Sequence, residues 1–249
     1  CTQENVPYYI VGNGSNLLVS DQGYEGVIIQ IYKQMNQVEI TENEIHAQAG
    51  ALLSMIANRA MEAELTGFEF AAGIPGTLGG ACVMNAGAYG GEMKDVLETV
   101  TVLTRDGDVK TLTKDELELG YRTSVIAKKD YIVLSAVIRL ENGKKEEIKA
   151  VMDDLKEKRI TKQPLEYPSA GSTFKRPEGY FAGKLIQDAG LRGFQVGGAQ
   201  VSEKHCGFVV NKDQATAADV MNLMNQVSDK VYEMSGVRLE PEVKRLGVF

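Results

Sequence analysis

The stretch GFEFAAGIPGTLGGACVMNAGAYGG, residues 67–91, decides the fold of this chain. Eight of its 25 positions are glycine, and Glu69 is its one charged residue. Glycine at this density, interrupted by apolar residues such as Ile74 and Leu78, predicts an ordered loop rather than a flexible linker. The backbone N–H groups of such a loop can approach a phosphate or a ring system closely. A tight structural crossover with buried turns is the alternative for this stretch alone.

A second glycine-rich turn lies near the start of the chain, in the stretch VGNGSNLLV, residues 11–19. It has a strand-like approach, a Gly-Asn-Gly-Ser-Asn turn and an apolar exit. An ordinary hairpin is the alternative, because Asn-Gly is the strongest short hairpin signal. A long nucleotide requires two such loops, since each can hold part of a pyrophosphate while apolar residues enclose the rings. The two loops together predict a dinucleotide-type cofactor.

Composition excludes several classes of protein. The net charge of −7 leaves no excess of Lys and Arg to displace counterions, so we expect no nucleic-acid partner. No apolar run is long enough to span a membrane and no signal peptide is visible, so we expect a cytoplasmic protein without a membrane partner. Three widely spaced cysteines fit free thiols, and two histidines argue against a metal centre. No long apolar surface stripe is left unassigned, which favours a monomer.

Hydrophobic periodicity predicts a mixed chain of strands and helices. Strands are predicted at residues 6–10, 17–19, 26–31, 37–40, 45–49, 96–103, 109–112, 131–140, 199–201, 207–210 and 237–246. Helices are predicted at residues 51–64, 145–159, 181–188 and 215–234, with a short one capped by Thr113. The composition changes near residues 145–164. We therefore predict a cofactor-binding domain over residues 1–155 and a smaller α+β domain over residues 156–249.

The common nucleotide-binding motifs do not fit the two glycine loops. Gly12 and Gly14 are followed by an apolar strand, whereas a Rossmann fingerprint opens a helix. No Gly-Lys-Ser or Gly-Lys-Thr follows either loop, which excludes a P-loop. The predicted cofactor fold is therefore of another type.

Three polar elements could act on a substrate. Arg122, after a short helix, can serve as a fixed cation for a carboxylate or enolate, although a surface ion pair is the alternative. Ser172 lies in an irregular, proline-rich segment, where a hydroxyl can donate a proton or simply stabilise a turn. Glu240 and Glu242 flank Pro241, and period-two geometry predicts both on one face of the last strand. A solvated edge strand would explain the two acids more simply.

At these residues the chain resembles a known family. The motifs GNGSN, GIPGTLGGACVMNAGAYGGE, GYRTS, AGSTFKRP, AGKLI, GGAQVS and LEPEV occur in the order found in UDP-N-acetylenolpyruvoylglucosamine reductases, also called UDP-N-acetylmuramate dehydrogenases (MurB). The match covers residues 11–247. The resemblance implies an α+β fold, with an FAD-binding domain of the vanillyl-alcohol-oxidase / p-cresol-methylhydroxylase type and a smaller substrate-binding domain.

The resemblance also implies a function. Enzymes of this family use non-covalently bound FAD, reduced by NADPH, to convert UDP-N-acetylglucosamine enolpyruvate into UDP-N-acetylmuramate for bacterial peptidoglycan. Hydride from flavin N5 adds to the β-carbon of the enolpyruvyl group, and a proton is then added at the α-carbon. The expected partners of this chain are therefore that substrate and NADPH.

The resemblance assigns a role to each matching residue. The catalytic residues are Arg122 and Glu242, which would stabilise the developing charge, and Ser172, which would donate the proton. The FAD-binding residues are Gly12, Asn13, Gly14, Ser15, Asn16, Gly73, Ile74, Pro75, Gly76, Gly79, Gly80, Asn85, Ala86, Gly87, Ala88 and Gly90. The substrate-binding residues are Tyr121, Lys162, Arg176 and His205, with Lys162 and Arg176 at the diphosphate.

The chain departs from the family pattern in three places. It lacks a Tyr-bearing insertion between Arg122 and Tyr131, and Arg176 stands where members with that insertion have Asn. Both departures indicate the shorter, second branch of the family. The chain starts at Cys1 and lacks the family's first βα unit, so we expect that the natural N-terminus is missing and that the FAD domain is incomplete there.

Two other functions remain open. An FAD-dependent oxidase of the same architecture would react with dioxygen, although many such enzymes tether FAD through a His or Cys, and neither histidine here lies in a glycine loop. A nucleotide-sensing module without catalytic activity is the other alternative. The joint presence of Arg122, Ser172 and Glu242 argues against the second alternative.

Overall fold

A computed structural model describes residues 1–249 and shows a mixed α+β chain. The strands are β1 (Tyr8–Val11), β2 (Leu17–Val19), β3 (Val27–Gln30), β4 (Val38–Thr41), β5 (Glu44–Gln48), β6 (Leu65–Thr66), β7 (Gly87–Ala88), β8 (Gly91–Glu92), β9 (Leu97–Leu103), β10 (Val109–Thr113), β11 (Ile132–Arg139), β12 (Glu141–Asn142), β13 (Gln195–Val196), β14 (Ala199–Val201), β15 (Val209–Asn211) and β16 (Lys244–Leu246). The helices are α1 (Leu53–Glu62), α2 (Leu78–Met84), α3 (Met93–Val96), α4 (Val125–Lys128), α5 (Lys145–Lys162), α6 (Ala182–Asp188) and α7 (Ala217–Ser235), with a 3-10 turn at Glu69–Ala71. None of these helices combines the length and the apolar character needed to cross a bilayer.

The chain forms two compact units. The sheet unit consists of Tyr8–Gly14 and Ile28–Arg159. The C-terminal unit consists of Cys1–Pro7, Ser15–Val27 and Ile160–Phe249. Short N-terminal stretches therefore belong to both units, and the division into residues 1–155 and 156–249 stays a prediction.

The sheet unit is built on a five-stranded antiparallel sheet with the strand order β10-β9-β11-β5-β4. Along β9, Val100 and Val102 are fully buried while Thr101 is half-buried, because successive side chains of a strand point to opposite faces. The hairpin between β9 and β10 turns at Asp106 and Gly107, whose φ of +89° suits glycine. This hairpin confirms the prediction made from the Asp-Gly pair.

The glycine-rich stretch at residues 67–91 contains a helix, so the prediction of a loop is wrong for the residues of α2. Leu78, Ala81 and Cys82 are buried at the spacing of one helical face, and α2 packs on β11. Gly79 and Gly80 lie inside this helix, and their low helix propensity concealed it in the sequence.

The C-terminal unit has a three-stranded antiparallel sheet, β13-β14-β15, with α7 packed against it. The predicted start of α7 is confirmed, because Thr216 Oγ1 accepts a hydrogen bond from the Asp219 N–H at 3.0 Å. Leu223, Val227 and Val231 are fully buried along one face of α7. A second, two-stranded sheet joins β2 to β16 in parallel.

Two other predictions are wrong. No helix follows Thr113. Its N–H donates to Glu116 Oε2 at 2.8 Å, as in a capping box, but its hydroxyl donates to the same oxygen at 2.8 Å instead of accepting from the Glu116 N–H. The last strand is confined to Lys244–Leu246, so Glu240 and Glu242 do not lie on one continuous strand. The alternative of an ordinary hairpin at residues 12–16 is excluded, because β1 pairs with β3 and β2 pairs with β16.

Candidate active site

The two predicted glycine loops contact each other within the sheet unit. Asn13 Nδ2 donates to the Pro75 carbonyl at 2.7 Å. A Cβ at Gly12 would lie 2.2 Å from Thr77 Oγ1, so only glycine permits this approach. Thr77 itself is 2 % exposed. The structure therefore brings residues 12–13 into contact with residues 75–77, which precede α2.

Bare backbone faces open space at several of these glycines. Gly14 and Gly90 have φ values of +70° and +95°, and a Cβ built on either would meet no atom within 4 Å. At Gly80 the nearest atom to a Cβ is Thr77 Oγ1, at 3.9 Å. Backbone of this kind can contact a pyrophosphate or a flat ring directly, because no side chain stands between the backbone and the ligand. The glycine loops thus fit a dinucleotide such as FAD.

The predicted cofactor residues 85–90 divide into a buried and an accessible part. Asn85 and Ala86 are buried, with Asn85 ending α2 in the left-handed conformation at φ 45°. Gly87 and Ala88 form β7, which pairs with β8 through a turn at Tyr89 and Gly90. A Cβ at Gly87 would lie 2.6 Å from the Gly91 carbonyl, so the close pairing of the two strands requires glycine. The accessible part is the turn.

Arg122 lies in a tight turn of the sheet unit. The turn spans residues 120–123 and is closed by two hydrogen bonds, from the Gly120 N–H to the Thr123 carbonyl at 3.1 Å and back at 3.2 Å. Arg122 has a φ of +55°, which is uncommon for a residue with a side chain. Its guanidinium donates to the Gly87 carbonyl at 3.4 Å and lies 5.2 Å from the centre of the Tyr121 ring. A cation is therefore fixed beside the β7 backbone.

Ser172 and Glu242 lie on neighbouring segments of the C-terminal unit. The Glu242 N–H donates to the Thr173 carbonyl at 2.8 Å, and Phe174 pairs with Pro241 in an antiparallel bridge. On its other side, Ser172 pairs with Phe208. Two of the three predicted catalytic residues are thus brought together by main-chain pairing.

Asn16 and Ser15, predicted to bind FAD, belong to the C-terminal unit. The Asn16 amide donates to the Glu242 carbonyl at 3.3 Å, and the Lys244 N–H donates to the Asn16 carbonyl at 3.0 Å. Asn16 therefore contacts the main chain on both sides of Val243. Ser15 is half-buried.

The two predicted diphosphate-binding residues are both exposed cations of the C-terminal unit. Lys162 is the last residue of α5. Arg176 Nε donates to the Tyr180 carbonyl at 3.2 Å, and its guanidinium lies 4.0 Å from the centre of the Phe181 ring. Phe181 is 61 % exposed, so this stacked cation faces solvent.

His205 is held as a neutral ring. The Gly207 N–H donates to its Nδ1 at 3.0 Å, and the Phe208 ring packs edge-on with a centroid distance of 5.0 Å. Burial lowers the pKa of His205, and the charge of Arg192 acts in the same direction, against a weaker opposing hydrogen bond. With Nδ1 accepting, the ring proton of the neutral form lies on Nε2.

Other parts of the molecule show no competing centre. No group of three or more His, Cys, Asp and Glu side chains is arranged to hold a metal ion. A cavity of about 340 Å³ in the C-terminal unit is lined in part by Tyr167, Lys204 and Lys212. None of the predicted catalytic or substrate-binding residues lines this cavity, but Ser202, which does, accepts a hydrogen bond from the His205 N–H at 3.2 Å.

Sequence reasoning missed three buried hydroxyl residues that hold these loops. Thr77 fills the space beside Gly12, Ser124 donates to the Val83 carbonyl at 2.6 Å, and Thr173 Oγ1 accepts from the Val209 N–H at 2.8 Å. Each lies inside a quoted motif (GTLGG, YRTS or GSTF), which was the available signal.

Two family models match the chain. Residues 163–246 match the C-terminal domain of UDP-N-acetylenolpyruvoylglucosamine reductase. Residues 1–113 match an FAD-binding domain. The second match confirms FAD as the predicted cofactor, and the two together confirm the predicted fold class.

Curated relatives cover nearly the whole chain. A UDP-N-acetylenolpyruvoylglucosamine reductase of Agathobacter rectalis is 59 % identical over an alignment of 257 positions, which covers 98 % of this chain and 82 % of the relative. The enzyme of that name from Clostridioides difficile is 55 % identical over 245 residues, 98 % of this chain and 81 % of the relative.

A solved structure has the same fold. The crystal structure of UDP-N-acetylenolpyruvylglucosamine reductase (MurB) from Thermus caldophilus superposes with a TM-score of 0.85 at 37 % identity. The superposition covers 97 % of this chain and 86 % of that one. With its FAD-binding fold and with relatives this similar over its whole length, the chain is an oxidoreductase that belongs to the UDP-N-acetylenolpyruvoylglucosamine reductase family.

Proposed function

We propose that this chain reduces the enolpyruvyl ether of UDP-N-acetylglucosamine enolpyruvate to UDP-N-acetylmuramate, with NADPH as the electron donor and Ser172 as the proton donor. Membership of the family supports the substrate class and the use of FAD. The observation that carries the residue assignment is the hydrogen bond from the Glu242 N–H to the Thr173 carbonyl, which puts an acid beside the Ser172 segment.

The glycine loops of the sheet unit would hold the cofactor. Residues 12–14 and 73–80 are in contact, and their bare backbone can approach a pyrophosphate. FAD, when bound, supplies the hydride that adds to the β-carbon of the enolpyruvyl group. The backbone would contact the cofactor at Gly14, Gly80 and Gly90, where the space beside the glycine is open.

Arg122 would stabilise the negative charge that develops on the substrate carboxylate. Hydride addition at the β-carbon moves an electron pair towards the α-carbon and the carboxylate, as an enolate. A guanidinium matches a carboxylate with two parallel N–H donors, and a turn fixes it before the reaction starts. Glu242, half-buried, would stabilise the same charge when it carries a proton.

Ser172 would give its hydroxyl proton to the α-carbon, where the electron pair of the enolate forms the new C–H bond. The residue is exposed, so the hydroxyl is accessible to a substrate. Main-chain contacts fix its segment on both sides. Ser172 forms an antiparallel bridge with Phe208, and the Glu242 N–H donates to the Thr173 carbonyl. A fixed position is what a weak acid such as a serine hydroxyl needs for proton transfer.

Lys162 and Arg176 would bind the diphosphate of the substrate. Tyr121 and His205 would contact the substrate as well. Arg176 can present its guanidinium while the Tyr180 carbonyl and the Phe181 ring hold its orientation. An Arg at this position therefore supplies a fixed charge where relatives with the Tyr-bearing insertion have a neutral Asn.

Ser172→Ala tests the assignment by separating the two half-reactions. Reduction of the flavin by NADPH requires no protonation at carbon, so its rate should stay within about twofold. Reoxidation by the enolpyruvyl substrate should slow by roughly 10²- to 10⁴-fold, because a general acid is lost. Anaerobic stopped-flow measurement of flavin absorbance reports each step separately.

Ser169→Ala is the matched control, since Ser169 lies in the same segment and only accepts a hydrogen bond from the Gly171 N–H at 3.2 Å. This variant should keep both rates. The assignment of Ser172 would be abandoned if Ser172→Ala slowed both half-reactions equally, or neither.

A further inference from the structure

Asn85 is a fully buried residue on which three segments of the sheet unit converge. Its amide nitrogen donates to Glu92 Oε2 at 2.7 Å and to the Gly120 carbonyl at 3.1 Å. Its amide oxygen accepts from the Lys94 N–H at 2.8 Å. Both amide hydrogens are therefore used inside the protein, and neither is left for a cofactor.

The Gly120 carbonyl stands at the start of the turn that presents Arg122. Because Arg122 adopts a left-handed backbone conformation at φ 55°, the surroundings must hold the turn in place. Asn85 holds the side of Gly120. Ser124, which directly follows the turn, fixes its C-terminal end by donating a hydrogen bond to the Val83 carbonyl at 2.6 Å.

Both anchors of the turn are attached to helix α2. Val83 lies in its last turn and Asn85 is its C-terminal cap. The N-terminal end of the same helix follows directly on the loop at residues 73–77. The position of Arg122 is therefore fixed relative to the helix that also carries the predicted cofactor loop.

We propose that Asn85 is a positioning residue for Arg122, acting through its hydrogen bond to the Gly120 carbonyl. This role differs from the FAD contact predicted from sequence. It rests on the proposed function, because it requires that Arg122 acts on the substrate carboxylate.

A structural role for Asn85 can be separated from this positioning role by one pair of substitutions. Asn85→Asp keeps the shape but replaces both donors with an oxygen that faces the Glu92 carboxylate and the Gly120 carbonyl. Adding Glu92→Gln restores one contact, because a glutamine amide can donate to the new Asp. The Gly120 carbonyl still has no donor in the double variant. Folding should therefore recover while the hold on the Arg122 turn stays broken.

The experiment compares the parent and the Asn85→Asp/Glu92→Gln variant as FAD-loaded proteins. We expect a thermal midpoint within about 3 °C of the parent and flavin reduction by NADPH within about twofold. Reoxidation by the enolpyruvyl substrate should slow by roughly 10- to 100-fold, the scale expected for a misplaced catalytic group. The double variant keeps the net charge of the parent, because one carboxylate is added and one is removed. Asn58→Asp is the control for an Asn-to-Asp change outside the turn, since Asn58 is an exposed residue of α1, and it should leave both rates unchanged.

The same change in an Arg122→Lys background shows whether Asn85 acts through Arg122. In that background the added loss should shrink to about twofold or less, because the group being positioned is already impaired. A full additional loss would overturn the proposal, and so would normal reoxidation in the folded double variant. If Arg122→Lys alone leaves reoxidation unchanged, the proposed function of Arg122 fails first. If Arg122→Lys slows reoxidation but the Asn85 variants reoxidise at the parent rate, the positioning role of Asn85 fails and the proposed function of Arg122 stands.

Asn85→Gly gives a second route if the double variant does not fold. Glycine adopts the left-handed cap conformation without strain, and it removes the whole side chain with its three hydrogen bonds. The same slow reoxidation, again dependent on Arg122, is expected. Reoxidation at the parent rate in this variant would overturn the proposal.

Discussion

The two elements that carry the proposed catalytic residues are held in different ways. In the sheet unit, the turn of Arg122 depends on two buried side chains, Asn85 and Ser124, which bind main-chain carbonyls. In the C-terminal unit, the segments of Ser172 and Glu242 are joined to each other by main-chain hydrogen bonds and bridges, and the one side-chain contact to this pair of segments described above, from the Asn16 amide to the Glu242 carbonyl, is longer, at 3.3 Å. The first arrangement supports a backbone strained by about 1–3 kcal/mol, whereas the second consists of extended segments.

This difference predicts where the molecule tolerates substitution. A side chain that anchors a carbonyl can be removed by one mutation, but a main-chain hydrogen bond survives most changes of side chain. We therefore expect the function of the sheet unit to depend on buried polar neighbours. In the C-terminal unit, buried neighbours should affect stability more than the rate of the reaction.

Gly12→Ala should have the largest effect on stability, because the new Cβ would lie 2.2 Å from Thr77 Oγ1 in a buried contact. Overpacking of this kind costs about 3 kcal/mol at its upper end. The free energy of unfolding, measured in urea, should fall by that amount, and the fraction of protein purified with FAD should fall with it.

Two variants sharpen this test of side-chain contact in the sheet unit. Thr77→Ala removes the clashing oxygen, so the loss in the double variant should be smaller than the sum of the two single losses. Gly14→Ala meets no atom and should lose only about 1 kcal/mol from its left-handed backbone. Additive losses for Gly12 and Thr77 would show that their contact does not hold the loops.

Local signals in the sequence predicted much of the fold. The Asp106–Gly107 pair located the β9–β10 hairpin, and Thr216 located the start of α7. Both features depend on residues within a few positions of one another. The parallel pairing of β2 with β16 depends on residues from opposite ends of the chain, such as Leu17 and Lys244, and no local pattern reports it.

The candidate site was predictable as a set of motifs but not as a set of contacts. The motifs singled out Ser172 and Glu242, yet the period-two argument placed Glu242 on a strand that the structure lacks. The capping-box pattern at Thr113 predicted the hydrogen bond from its N–H to Glu116, but neither the reciprocal bond to its hydroxyl nor the helix forms. Asn85 was found only as a member of a motif, because a buried amide that joins three distant segments leaves no periodic signal.

Thr173→Val tests the expectation for the C-terminal unit, that a buried side chain there affects stability more than the rate of the reaction. The change keeps the shape of the side chain but removes the oxygen that accepts from the Val209 N–H at 2.8 Å. A buried donor left without a partner should lower the free energy of unfolding by about 1–2 kcal/mol. Reoxidation by the enolpyruvyl substrate should stay within about threefold, because main-chain bonds still hold Ser172 and Glu242.

Thr173→Ser is the control, since it keeps the hydroxyl and should retain most of the stability. A loss of reoxidation in Thr173→Val as large as that of the Asn85 variants would break the comparison. Both units would then depend on side-chain anchors.

The smallest expected effect concerns His205, a half-buried side chain of the C-terminal unit that accepts a main-chain hydrogen bond. Because burial lowers its pKa below the usual value of about 6.5, the unfolded chain binds the proton first as the pH falls. The contribution of His205 to stability is therefore fully present above the unfolded pKa and is lost as the pH falls through it towards the folded pKa. His205→Asn keeps an oxygen that can accept from the Gly207 N–H but cannot titrate. The decline in stability between about pH 7 and pH 5 should be shallower in this variant.

His46→Asn provides the matched control for that measurement, because the chain has two histidines and His46 is an exposed residue 3.4 Å from Glu44. Thermal midpoints measured at half-unit pH steps should show a larger reduction of slope in His205→Asn than in His46→Asn. An equal change of slope in both variants would mean that burial of His205 makes no separate contribution. A lower midpoint for His205→Asn at pH 8, where the ring is neutral in both states, would show that the asparagine does not replace the contact to Gly207. If the pH 8 midpoint is unchanged, the C-terminal unit requires an acceptor for the Gly207 N–H at this position and not the imidazole ring itself.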